Sequence, residues 1–250
     1  MLMNKKNRDA FNAARNRYRA YTDELSRALP ELQSYQQALA DGRRGPAYTV
    51  ETPVLYNFAL DDVARPDNIR LILAGDNPGR REQAAENRRY LVGPSGKIAE
   101  RFFREHPELG IDFRKQTIIL NKTPIHTPRT AELRELCAAG GPAVARAVSE
   151  SQRFMAALLV EFHQALPGVP VWITGYSEMK KGGIFEAYTE TLKNAYPENL
   201  RGGVFLYRHF SMNQFTIDLH RQTREAPPGE TLRETLERIG RAYRLRILGW

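Results

Sequence analysis

Residues 71–81 read LILAGDNPGRR, and the break in the middle of this stretch decides the fold. Four apolar residues, Leu71 to Ala74, run into Gly75, after which Asp76, Asn77, Pro78 and Gly79 follow in single file. A continuous apolar run without alternation is the pattern of a strand covered on both faces. Extended by one residue it is RLILAG (70–75), and three more runs share its character: QTIILN (116–121), VPVWITG (169–175) and GVFLYRH (203–209). Helical patterns lie between them. SGKIAERFFREH opens at Ser95, a good N-cap; AVARAVSESQRFMAALLVEFHQAL is halted by Pro167 and Gly168; IFEAYTETLKNAY separates the last two strands. Strands alternating with helices predict an α/β protein with a mostly parallel four-stranded sheet.

The flanks are helical too. Residues 6–40 place Phe11, Ala14, Tyr18, Tyr21 and Leu25 at helical spacing, which predicts one or two helices. The linker DGRRGPAY (41–48) then divides an N-terminal helical extension, 1–45, from a domain spanning 46–250. Near the end, TLRETLERIGRAYRLRIL is amphipathic, with Thr231 as N-cap and Glu234 completing a capping box.

Composition narrows the function. The 250 residues suffice for one large domain with a sizeable core. Lys and Arg number 37 against 29 acids, a formal charge of +8, which suits either a nucleic-acid partner or a merely basic soluble protein. Arg80, Arg81, Arg88 and Arg89 closely follow the opening motif. Cys137 is the only cysteine, which excludes an internal disulfide, a four-thiolate zinc site and a self-held iron–sulfur cluster. The histidines at 106, 126, 163, 209 and 220 show no HxxxH or HExxH spacing, so a metal site is not expected. Without an apolar run of membrane-spanning length or a leader-like start, the expectation is a soluble, cytoplasmic protein with no membrane partner.

In open parallel sheets ligands bind beyond the carboxyl ends of the strands. Those ends carry Asp76 and Asn77, then Asn121, then the 175–183 loop, then His209 with Ser211. Asn121 can match the C=O and N–H edge of a pyrimidine with its own donor and acceptor. His209 can set a donor against an oxygen that gains charge as a bond breaks. Asp76 or Asn77 can orient a water, Asp76 being the better proton acceptor. Gly79, Gly93 and Gly96 admit a close backbone approach, and free N–H groups near Ser95 suit a phosphate or carbonyl oxygen. Taken singly, 76–79 reads equally as a β-turn, Asn121 as a loop cap and His209 as a satisfied core histidine. Their recurrence on successive strand ends favours a site.

Four segments in order carry a family resemblance: GDNPG (75–79), YLVGPSGKIAERFF (90–103), IILNKTPIHTP (118–128) and HFSMNQF (209–215). Together they resemble the motifs of the uracil-DNA glycosylase superfamily. The first is similar to the G-x-N-P-G motif of the mismatch-type enzymes, the second to the P-F-V-G-x-A-G segment of the iron–sulfur enzymes. The third resembles the strand ending in a uracil-reading asparagine, and the fourth the H-P-S loop. The resemblance implies a three-layer α/β/α fold and an enzyme that flips uracil or a related deaminated base out of DNA and hydrolyses its N-glycosidic bond with neither a metal nor a redox cofactor; a monomer is expected. On it, Asn77 positions water with Asp76 as second candidate, Asn121 reads the base, and His209 stabilises the departing O2. Gly75, Gly79, Tyr90, Leu91, Gly93, Ser95 and Ser211 complete the expected substrate contacts.

DNA contacts are expected from Lys180 and Lys181 through phosphates and from Met212 and Phe215 as wedges. The chain departs from the family at several points. Leu91 stands where the iron–sulfur enzymes carry a stacking phenylalanine, leaving Tyr90 or another aromatic to substitute. Phe210 replaces the proline after the histidine, and the cluster cysteines are absent. Two other readings stay open: the same fold gripping DNA or a nucleobase without cleaving it, and a Rossmann-like enzyme acting on a phosphorylated small molecule. The second lacks G-x-G-x-x-G or G-x-x-x-x-G-K-[ST] support.

Overall fold

A computed structural model of the chain describes residues 3–43 and 46–250; Arg44 and Gly45 of the expected linker lie outside the described residues. Four parallel strands, β1 (Leu71–Gly75), β2 (Thr117–Asn121), β3 (Val171–Thr174) and β4 (Val204–Tyr207), form one sheet in the order β2-β1-β3-β4. β1 therefore sits between β2 and β3, with Leu71 opposite Thr117, Gly75 opposite Asn121 and Ile72 opposite Val171. Every strand residue is buried, which accounts for the unbroken apolar runs.

Among the described residues, nine α-helices surround the sheet: α1 (Lys5–Ala28), α2 (Leu32–Asp41), α3 (Pro94–Glu105), α4 (Phe113–Gln116), α5 (Glu132–Ala165), α6 (Glu186–Ala195), α7 (Glu198–Arg201), α8 (Gln214–Arg224) and α9 (Leu232–Leu248). The fold is a three-layer α/β/α sandwich. Trp172 and Tyr207 lie on one face, where Trp172 meets Phe103 of α3 at 5.5 Å and Phe215 of α8 at 6.0 Å between ring centroids, and Tyr207 donates to Leu236 O of α9. α5 backs β1 and β2, and α1, α2 and α6 pack on α5.

Local chemistry explains the element boundaries. α5 breaks at Gly141, whose φ of 67° lies in the left-handed region, and resumes at Pro142, which needs no N–H in a first turn. The expected helix from residue 143 thus has an additional segment before the break. Ser95 is not the cap of α3: Gly93 is, Pro94 takes the first helical position, and Ser95 lies inside the first turn. The Thr231–Glu234 capping box is present in α9. Buried Phe11, Ala14, Tyr18, Thr22 and Leu25 form one stripe of α1; Phe11 meets Phe162 of α5 and the Tyr18 hydroxyl lies 3.2 Å from Leu55 O. The N-terminal helix thereby shares the core of the sheet domain. No helix among the described residues is long and apolar enough to cross a membrane.

Candidate active site at the carboxyl edge of the sheet

The rim is built on a buried ion pair. Lys122, the residue after β2, is fully buried, with Nζ 2.6 Å from Asp76 Oδ1. The same ammonium donates to Gly75 O at 3.2 Å and to Thr174 O at 2.5 Å, so each of its protons has an acceptor. Burial pushes the Lys122 pKa down, and the Asp76 carboxylate opposes that shift. Asp76 is fixed at the junction of β1, β2 and β3. Its Oδ2 accepts from Thr130 Oγ1 at 3.2 Å, and Gly175 (φ 78°) passes so close that a Cβ there would lie 2.3 Å from Oδ1.

The segment after β2 also grips the loop after β1. Asn77, half-buried, donates through Nδ2 to Thr127 Oγ1 at 2.9 Å and Thr127 O at 3.1 Å, while its Oδ1 meets no protein donor among the described residues. His126 is fully buried. Its Nδ1 lies 2.8 Å from Pro78 O, which can only accept, so the ring proton sits there and Nε2 accepts from Tyr48 OH at 3.1 Å. Burial lowers the His126 pKa to about 4, keeping the ring neutral. Thr123 ties the segment to α5 through Ser151 Oγ at 2.6 Å.

Besides Asn77, Asn121 and His209 are left with hydrogen-bonding capacity. Asn121 ends β2 beside Gly75, is buried, and its Nδ2 has no partner among the described residues. An unpaired buried amide costs about 1–3 kcal/mol. A Cβ at 75 would fall 2.6 Å from Asn121 Oδ1, so only glycine leaves the amide its place. His209 follows β4 and is half-buried. Ser211 N–H donates to its Nδ1 at 3.0 Å, with Ser211 Oγ 2.8 Å from the same atom, so the proton of the neutral ring is on Nε2. Burial lowers the His209 pKa; the Asp76 charge opposes this and Lys122 adds to it.

The 79–96 region corrects several expectations. Tyr90 is buried, donates to Leu55 O at 2.7 Å and pairs with Tyr18 OH, so it belongs to the core and offers no face to a base. Leu91 is buried too, in the left-handed conformation (φ 53°), and its carbonyl accepts from Arg114 Nη2 at 2.9 Å. Gly79 has neither a left-handed φ nor a neighbour that a Cβ would meet, so the turn does not require glycine there. Buried Glu82 binds Gly79 N–H at 3.1 Å through Oε2 and Leu91 N–H at 2.9 Å through Oε1.

Around the rim, Met212 is 82% exposed with φ 52°, whereas Phe215 is 2% exposed and stacks on Phe210 at 4.5 Å, which leaves it no free face to act as a wedge. Lys180 and Lys181 are exposed. The four arginines differ: Arg80 donates to Pro46 O and Ala47 O, Arg89 pairs with Asp62, Arg88 lies over Phe58, and Arg81 has no side-chain partner among the described residues. Cavities of about 710 Å³ between α5 and α6 and about 1010 Å³ beside Tyr48 and Arg81 flank the rim, and neither is lined by Asp76, Asn121 or His209.

Glu82, Lys122, His126 and Thr127 are the residues that sequence reasoning missed. For Lys122, His126 and Thr127 the signal was the density of polar residues in NKTPIHTP (121–128) directly after a buried strand; Glu82 lies outside that stretch. The molecule is thus an α/β/α protein whose polar site lies on the carboxyl edge of its parallel sheet. No protein-family model matches the chain, and no curated protein matches it significantly.

Proposed function

We propose that the protein is a DNA glycosylase that hydrolyses the N-glycosidic bond of uracil or a related deaminated base, a cytoplasmic repair activity. The observation that carries this reading is the buried amide of Asn121, without a protein partner for its Nδ2, on the same rim as a neutral His209 whose proton is on Nε2. A base with C=O and N–H on one edge would satisfy Asn121. Nε2–H of His209 would donate to the base oxygen that becomes negative as the bond to C1′ breaks, without transferring its proton. Asn77 Oδ1 would accept a hydrogen bond from the attacking water and so orient it. Asp76 is the weaker candidate for that task, since Lys122 and Thr130 already engage its two oxygens.

A second reading is a protein of this fold that grips DNA or a nucleobase without cleaving it. It is favoured by the burial of both Tyr90 and Leu91 and by cavities that miss Asn121 and His209. Cleavage of labelled oligonucleotides carrying uracil, hypoxanthine, xanthine or a thymine mismatch separates the two. Wild type should cleave at least one, and Asn77→Ala and His209→Ala should each lower kcat by on the order of a hundredfold. Because the His209 pKa is depressed, the ring stays neutral to lower pH than an ordinary histidine, and the acid limb of the rate profile should lie below the usual histidine value. Binding without cleavage of any lesion would sink the enzyme and leave the second reading.

A further inference from the structure

The geometry points to Thr127 as the residue that sets which end of the Asn77 amide faces the site, an assignment whose catalytic meaning rests on the proposed glycosylase reading. Arg129 O can only accept, so the Thr127 hydroxyl, 2.9 Å away, must donate to it. With its proton committed there, Thr127 Oγ1 can only accept from the Asn77 side chain, 2.9 Å away. Thr127 O, a carbonyl 3.1 Å from the same atom, is likewise an acceptor. Both contacts require the NH2 end of the amide. Asn77 therefore turns its oxygen away from Thr127, where no protein donor among the described residues meets it. Thr127 is itself 2% exposed, and the neighbouring His126 holds Pro78 O, so neither side of this contact is free to swing.

The orientation matters chemically. A water that donates one proton to Asn77 Oδ1 keeps a lone pair free for attack on C1′. With the amide reversed, an N–H would point at the water oxygen and occupy that lone pair. Thr127 touches neither water nor base in this scheme; it is a positioning residue acting through Asn77.

The test combines side-chain amide exchange with kinetics. In ¹⁵N-labelled protein the Asn77 NH2 protons should exchange slowly in wild type and in Thr127→Ser, and several-fold faster in Thr127→Val, which keeps the carbonyl but loses the hydroxyl. On the best-cleaved lesion, Thr127→Val should lose on the order of tenfold in kcat with KM nearly unchanged, and Thr127→Ser should restore it. A wild-type Asn77 NH2 that exchanges at the rate of an exposed amide overturns the assignment, even if Thr127→Val does not fold. Full kcat in a folded Thr127→Val overturns it as well. Should wild type cleave no lesion, the glycosylase reading fails separately, and equal exchange in wild type and Thr127→Val would then reject the role of Thr127 by itself.

Discussion

Lys122 illustrates how much of the rim hangs on one side chain. It is a buried cation with no route to water, and its three acceptors come from Asp76, Gly75 and the end of β3. Removing one member of such a pair leaves the other as an uncompensated buried charge. Lys122→Met should therefore destabilise the fold by about 3–5 kcal/mol, measured as a fall in the chemical-denaturation midpoint. Adding Asp76→Asn should recover part of that loss, because the stranded carboxylate is then gone. If Lys122→Met alone is as stable as wild type, the ion pair does not organise the rim. Asn121 shows the opposite economy: its amide lacks the partner that Lys122 has in triplicate, the pattern expected of a residue placed for a ligand.

At the scale of elements, two loops of irregular backbone are held together by Glu82. One carboxylate accepts from Gly79 in the loop after β1 and from Leu91 in the approach to α3. Burial raises the Glu82 pKa from 4.5 to about 7, while its backbone hydrogen bonds and the charge of Arg114 pull it down. The sign of the pH effect follows from this. The folded state holds a proton on Glu82 between about pH 4.5 and 7 that the unfolded chain has released. Folding stability from this group is thus complete below the unfolded value and is lost as pH rises through 7. Its slope should approach, at most, about 1.4 kcal/mol per pH unit. Thermal unfolding of wild type minus Glu82→Gln should show that decline, and a difference that does not vary across the window would reject it. Leu91 adds to the same picture, since a leucine at φ 53° is strained and persists where Glu82 and Arg114 bind its N–H and C=O.

For the whole molecule the relevant quantities are the charge of +8 and where unpaired cations meet the rim. Arg81, Lys180 and Lys181 are exposed and have no side-chain partner among the described residues, and Met212 projects at the end of β4. If DNA crosses this edge, affinity should fall steeply with salt, each phosphate contact contributing about 0.9 to the logarithmic slope on duplex. Lys180→Ala with Lys181→Ala should flatten that slope by about 2, read by fluorescence anisotropy between low and physiological salt. Met212→Ala should leave the slope unchanged, because a wedge releases no counterions. An unaltered slope in the lysine variant would move the DNA off this loop.

The amino-acid sequence alone determined the four strands, the long helices between and beside them, and the class of fold. Short apolar runs rich in β-branched residues and bounded by polar or glycine residues suit strands covered on both faces, and the intervening 3.6-residue periodicity supplies the helices that cover them. It also placed Asp76, Asn77, Asn121 and His209 at strand ends, because register along a strand is a local property. What tertiary structure decided was the state of each group. Tyr90 and Phe215 were legible as aromatic residues beside the motifs, but whether a ring faces solvent or core depends on what packs over it, and both turned inward. The partners of Asp76 and Asn77, Lys122 and Thr127, are separated from them by 46 and 50 residues. No local pattern can announce a contact that exists only once β1 and β2 lie side by side. The same holds for proton positions: the tautomer of His126 and the amide orientation of Asn77 follow from acceptors brought in from other strands, and the sequence has no means of specifying them until the sheet has formed.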